Sequence, residues 1–190
     1  MGVGSNVAVL SFFLFQMVFM DTAATIPTGS MAERLKFGGF VLMGLWVSMF
    51  IYPLVGGWVW GGGWLQNLGR FAGLGNGAVD FAGSGVVHMI GGSVALAGAI
   101  VIGPRIGRFN KDGSANAMPG HDIPMGILGT IILFFGWFGF NPGSSLAFMG
   151  AGRVLAVNAA INTLLAGAAG GVSAMTYMWL LGPSKKPDPG

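Results

Sequence analysis

An all-α polytopic membrane protein with five transmembrane helices is the fold class that the sequence predicts, and three observations predict it. The chain has 190 residues, of which 53% are hydrophobic and only 8% charged, whereas soluble domains carry about 25% charged residues. Its mean hydropathy is +0.72. Apolar runs of the roughly 20 residues that a membrane helix needs alternate with short polar connectors. The 36 glycines are interleaved with Val, Leu, Ile, Phe and Met, a pattern that suits close helix packing in lipid.

The first span is predicted over 6–28 and contains Asp21 and Pro27. The start has no basic segment and no small-residue cleavage site, so a cleavable signal peptide is not expected. The second span covers 37–60, after a connector carrying Glu33, Arg34 and Lys36. A glycine- and asparagine-rich connector with Arg70 leads to the third span, 80–103. Arg105, Arg108, Lys111 and Asp112 lie in the next connector, before the fourth span at 123–144. A short, nearly neutral connector then leads to the fifth, 154–181. The connectors after spans one, three and five hold seven of the nine Lys and Arg residues, so the positive-inside rule makes them cytoplasmic.

Several function classes fall away. The chain has no cysteine and two histidines, which rules out disulfides and a typical zinc site. The triple glycine at Gly61–Gly63 lacks the Lys and Ser/Thr of a phosphate loop. No Ser/His/Asp set or carboxylate pair marks an enzyme, no cofactor is implied, and the scattered basic residues make no nucleic-acid footprint.

Ionisable groups inside membrane spans cost about 2.5–3.5 kcal/mol on insertion scales, so they are candidate sites. Asp80 opens the third span and reads as an N-cap or first-turn acid satisfying free backbone N–H groups; a functional role is compatible with that. His88 follows eight residues later, about 12 Å along a helix, near mid-membrane. It reads as a hydrogen-bonded packing residue or as the lining of a polar path, where neutral imidazole donates and accepts. Asp21 reads as a hydrogen-bonding partner of Thr22 or Thr25 inside the bundle, and His121 as a loop or helix-start residue. Trp58, Trp60, Trp64, Trp137 and Phe140 fall at span ends. They fit an interfacial aromatic belt or a trap for a monovalent cation, which an aromatic face attracts by about 0.5–2 kcal/mol. Composition leaves both readings open.

The run from Asp80 to Arg105, DFAGSGVVHMIGGSVALAGAIVIGPR, resembles the signature of the ammonium transporter family, which includes the Rh proteins. Phe15-Gln16 with Phe19 resembles the family's third-helix motif, and Met31–Arg34 the loop after it. Trp60–Gly63 resembles the end of the fourth helix, Gly136–Ser144 the sixth, and Ser184–Pro189 the loop between the seventh and eighth. The resemblance implies one partial domain over residues 1–190, corresponding to helices three to seven of an eleven-helix fold with inverted repeats.

It also implies roles. Trp60, Phe19 and Ser144 would bind ammonium outside, with Asp80 shaping the vestibule. Phe19 and Phe140 would form a gate. His88 would line the pore as the first of two histidines, its partner falling outside this chain, and Phe15 and Gln16 would line or support the outer pore. The expected activity is passage of ammonium or ammonia through a homotrimer in the cell (inner or plasma) membrane. A PII-type protein is the expected regulatory partner. Alternatives are an ammonium sensor on the same membrane fold, or a truncated fragment that inserts without conducting.

Overall fold

The computed structural model describes residues 7–183, 185 and 186. The predicted start of span one at Asn6, and positions 184 and 187–189 of the Ser184–Pro189 motif, lie outside the described residues. The chain divides into two compact units, residues 1–116 and 117–190.

In the first unit, α1 (Val7–Thr25) and the short α2 (Pro27–Met31) are separated at Ile26, where Pro27 removes a backbone donor and fits the first helical turn. Then come α3 (Phe37–Trp46), a π-helical segment (Val47–Ile51) and α4 (Tyr52–Val59), running without a break. A one-turn helix, α5 (Leu68–Ala72), lies in the following connector. A second π-helical segment (Ser84–Met89) leads into α6 (Ile90–Ile102). The second unit holds α7 (Ile123–Gly143) and α8 (Gly152–Leu180). Asp122 caps α7 by accepting from the Met125 N–H at 2.9 Å, which meets one of the donors a helix start leaves unpaired.

Among the described residues, five stretches are long and apolar enough to cross a membrane: Ala8–Met31, Phe37–Val59, Ser84–Ile102, Ile123–Gly143 and Gly152–Leu180. Their number and order are as predicted. The first runs a few residues past the expected Thr28, because α2 continues the climb after Ile26. The third begins at Ser84, not Asp80, since residues 80–83 form a turn. His88 therefore stands about one turn into its helix, and the 12 Å of helical rise expected between it and Asp80 is not present.

Packing inside the first unit relies on small residues, as it must where lipid removes most of the hydrophobic drive between helices. α2 packs on α6. A Cβ on Gly91 would lie 2.7 Å from Ile26 Cβ, and one on Gly98 would collide with the Met31 sulfur. Val47, Val86 and Val87 are fully buried where the two π-helical segments meet α1 and α4. At the far end, Ser30 Oγ donates to the Ala95 carbonyl at 3.1 Å. The Arg34 guanidinium donates to the carbonyls of Gly103 and Ser30, and Arg105 Nε pairs with Glu33 at 2.6 Å. These contacts tie the connector 32–36 to the end of α6. Large apolar side chains such as Phe13, Leu42, Ile100 and Phe135 stay exposed, as expected of faces whose solvent is the bilayer.

In the second unit α7 packs on α8. Gly167 lets the Phe134 ring come close, and Asn141 Nδ2 donates to Thr163 Oγ1 at 2.9 Å. Asp21 departs from expectation: it is exposed, and Thr22 Oγ1 donates instead to the Val18 carbonyl at 2.9 Å.

Gly91→Val gives the most direct check on this packing. Over-filling a tight contact costs about 1–3 kcal/mol, so the variant is expected to unfold at lower temperature in detergent. A Gly92→Val control, where a Cβ meets nothing within 4 Å, should leave the transition in place.

Candidate functional site

The site is built from α1, the end of α4 and the turn that precedes the third span. On α1, Phe12, Phe15 and Phe19 recur at helical spacing and so share a face. Phe12 and Phe15 stack at 6.3 Å between centroids, and Phe15 and Phe19 lie 4.2 Å apart at 31°. Phe19 is 2% exposed and meets the Trp60 ring edge-on, at 6.0 Å and 68°. That is the geometry aromatic quadrupoles favour.

Trp60 ends α4 and is half-buried. Its indole Nε1 donates to the Asp80 carbonyl oxygen at 2.7 Å, which fixes the ring's orientation. With the N–H committed, what the ring still offers a solute is its π-face. The Asp80 carboxylate is turned onto its own chain: Oδ1 accepts from Gly83 N–H at 2.7 Å, and Oδ2 from Gly85 N–H at 2.9 Å and Val86 N–H at 2.8 Å. The acid's side chain thus holds the start of the π-helical segment, while its backbone carbonyl holds Trp60. This is the capping function foreseen for Asp80, carried out from a turn four residues ahead of the helix.

Gly83 is required by this turn. Its φ of +92° lies in the left-handed region, and a Cβ there would collide with Val87 and come within 3.5 Å of the Trp60 ring. The carbonyl of Gly83 accepts from both Val87 and His88 N–H groups at 2.9 Å. The second of these spans five residues, the signature of a π-helical turn, a form common at functional sites. His88 sits on this segment with its side chain exposed on the unit's surface.

Gln16 is half-buried between Phe15 and Phe19 in sequence, and its Oε1 accepts from Tyr52 Oη at 2.8 Å. Tyr52 is buried, 5% exposed. Sequence reasoning missed Tyr52, although a tyrosine followed by proline inside an apolar span is a visible irregularity. It also missed Gly83. Tyr52→Phe should destabilise by about 1–2 kcal/mol, because the Gln16 oxygen loses its buried donor; thermal unfolding in detergent measures it.

The first unit therefore brings Phe15, Gln16, Phe19, Trp60 and Asp80 together, with His88 on the adjoining segment. Phe140 and Ser144 lie at the end of α7 in the second unit, where Ser144 Oγ donates to the Phe140 carbonyl at 2.9 Å. An edge-paired aromatic cluster whose tryptophan ring is fixed in orientation suits a small cation, because the ring face attracts charge.

Comparison with known proteins gives a consistent result. The profile of the Ammonium Transporter Family matches residues 2–189. The ammonium transporter Amt2 of Archaeoglobus fulgidus is 47% identical over 191 residues, covering 100% of this chain and 40% of that protein. Ammonium transporter 1 member 3 of Solanum lycopersicum is 47% identical over 135 residues, covering 70% of this chain and 29% of its own length. Among solved structures, a protein titled "Sensor Amt Protein" superposes with a TM-score of 0.80 at 43% identity, over 94% of this chain and 42% of that one. The chain thus spans about 40% of the length of Amt2.

Proposed function

The chain belongs to the ammonium transporter family and is a multi-pass integral membrane protein, and from that premise we propose that it contributes the outer capture site and the first pore-lining histidine of an ammonium pathway. The observation that carries this reading is the Phe19–Trp60 pair at 6.0 Å with the Trp60 indole held on Asp80 at 2.7 Å. Ammonium is captured against the Trp60 ring, which Phe19 backs, with Ser144 as a hydroxyl acceptor. Above the gate of Phe19 and Phe140 it gives a proton to water on the entry side, and ammonia passes His88. Ammonium and potassium are alike in size and charge, so a cation–π site separates them weakly. A hydrophobic constriction separates them strongly, because stripping water from a bare ion is costly and only ammonium can become neutral.

In this reading the connectors after spans one, three and five face the cytoplasm. Location in the cell (inner or plasma) membrane, a homotrimer and a PII-type regulatory partner belong to the same proposal.

The test is a chimera in which this chain replaces the matching segment of the Archaeoglobus relative, assayed for methylammonium uptake. The chimera should take it up. Trp60→Leu should raise KM roughly 2- to 30-fold, the range implied by about 0.5–2 kcal/mol of cation–π attraction. An unchanged KM would remove Trp60 from the capture site. The likeness to the sensor structure, a TM-score of 0.80 at 43% identity, supports a second reading, in which the same site reports ammonium. Saturable ammonium binding without flux through the chimera would favour it.

A further inference from the structure

We propose that the face of α1 turned away from Phe19 is the seat of a membrane helix from outside this chain, and that this helix brings a lysine or arginine to Asp21. Asp21 follows Phe19 by two residues, so it stands about 200° further round the helix than the aromatic face. Leu14, Val18, Asp21 and Thr25 recur at helical spacing and share this other side. All four are exposed, Leu14 by 56% and Val18 by 46%.

Leu14 and Val18 suit lipid or a neighbouring helix equally. The acid does not. It lies thirteen residues after Ala8 and ten before Met31, the ends of the first span, which puts it about 15–20 Å of helix from either end. Long basic side chains reach water by lying along the lipid, but a carboxyl on one methylene is too short for that. An ionised group at this depth is costly against hydrocarbon and is found facing protein or water, with a partner.

That partner is not supplied nearby. The Thr22 hydroxyl is committed to the Val18 carbonyl at 2.9 Å, and no hydrogen bond or ion pair reaches the Asp21 side chain among the described residues. A buried charge is paired with an opposite one, so the missing group is a cation. Every Lys and Arg of this chain lies outside the five spans except Arg153, which is the second residue of the fifth. A second copy of this chain therefore cannot bring a lysine or arginine to the depth of Asp21. Amt2 has more than half of its length beyond the match, which covers 40% of it, and flanking sequence of that kind is the source that the charge requires.

The test uses the chimera, in which the Archaeoglobus protein provides the flanking sequence, and its readouts are contact and stability, independent of transport. A diazirine amino acid is placed at Val18, one turn from Asp21, and the photoproducts are mapped by mass spectrometry. Crosslinks are expected on Archaeoglobus-derived helices. Crosslinks only to lipid overturn the proposal, and so do crosslinks to this chain's own sequence, in the same copy or another. Asp21→Leu and Asp21→Asn should both lower the unfolding temperature in detergent by several degrees, because each strands the partner's charge. A rise with leucine would mean that the acid faces lipid, and wild-type stability with asparagine would mean that it meets no charge; either result overturns the proposal. Should Asp21→Leu fail to assemble, the Val18 crosslinks, made with Asp21 in place, still decide what covers the face.

Discussion

Asp80→Ala is expected to destabilise the first unit by on the order of 3–5 kcal/mol, because three backbone donors lose a charged acceptor together. Those donors are the N–H groups of Gly83, Gly85 and Val86. Without them the Gly83 N–H side of the turn is released, leaving Gly83, at φ +92°, held only from its carbonyl side by Val87 and His88, and the Asp80 carbonyl is less firmly placed against the Trp60 indole. The aromatic mouth should loosen with the fold. Asp80→Asn should fall between wild type and alanine: its one carbonyl oxygen can serve the Gly85 and Val86 donors, while its amide faces the Gly83 N–H. Thermal unfolding in detergent should rank the three as Asp, Asn, Ala in falling stability. Equal stability of all three would show that the carboxylate is not what holds the turn.

His88→Ala is expected to abolish ammonium conduction in the chimera or its selectivity against potassium. In the proposed pathway the effect is large because it changes what a constriction at His88 would refuse. Imidazole offers one donor and one acceptor to a neutral solute, whereas a dehydrated potassium ion finds no compensation for its lost water. Methylammonium uptake and potassium permeability, measured in the same proteoliposomes, check it. Selective uptake at the wild-type level would defeat the assignment.

The number and order of the membrane spans were legible in the residues, because a bilayer demands a run of apolar residues of nearly fixed length and tolerates few charges within it. The start of the third span was not. Asp80 does satisfy backbone donors as its type suggests, but it does so through a turn with a left-handed Gly83, and Asp80-Phe81-Ala82-Gly83 reads equally well as a first helical turn. The π-helical segments were hidden for a related reason. Shifting a hydrogen bond from the fourth residue back to the fifth changes no composition and little periodicity, yet it decides where His88 sits.

The aromatics show the same boundary between local and tertiary information. Trp60 at a span end fits a belt or a site equally well, and its contacts with Phe19 and Asp80 are tertiary, so no local pattern carries them. Tyr52 and Gln16 stand 36 positions apart, so nothing local joins them. Asp21 shows the limit of the opposite expectation: a charge in a span was expected inside the bundle and stands exposed.

The central claim is that the Trp60 face, held by Phe19 and the Asp80 carbonyl, captures ammonium. Saturation binding of ammonium to the chimera, with and without Trp60→Leu, tests it most directly. Saturable binding that the substitution weakens roughly 2- to 30-fold is the expected result. Binding of equal strength in both forms would contradict it.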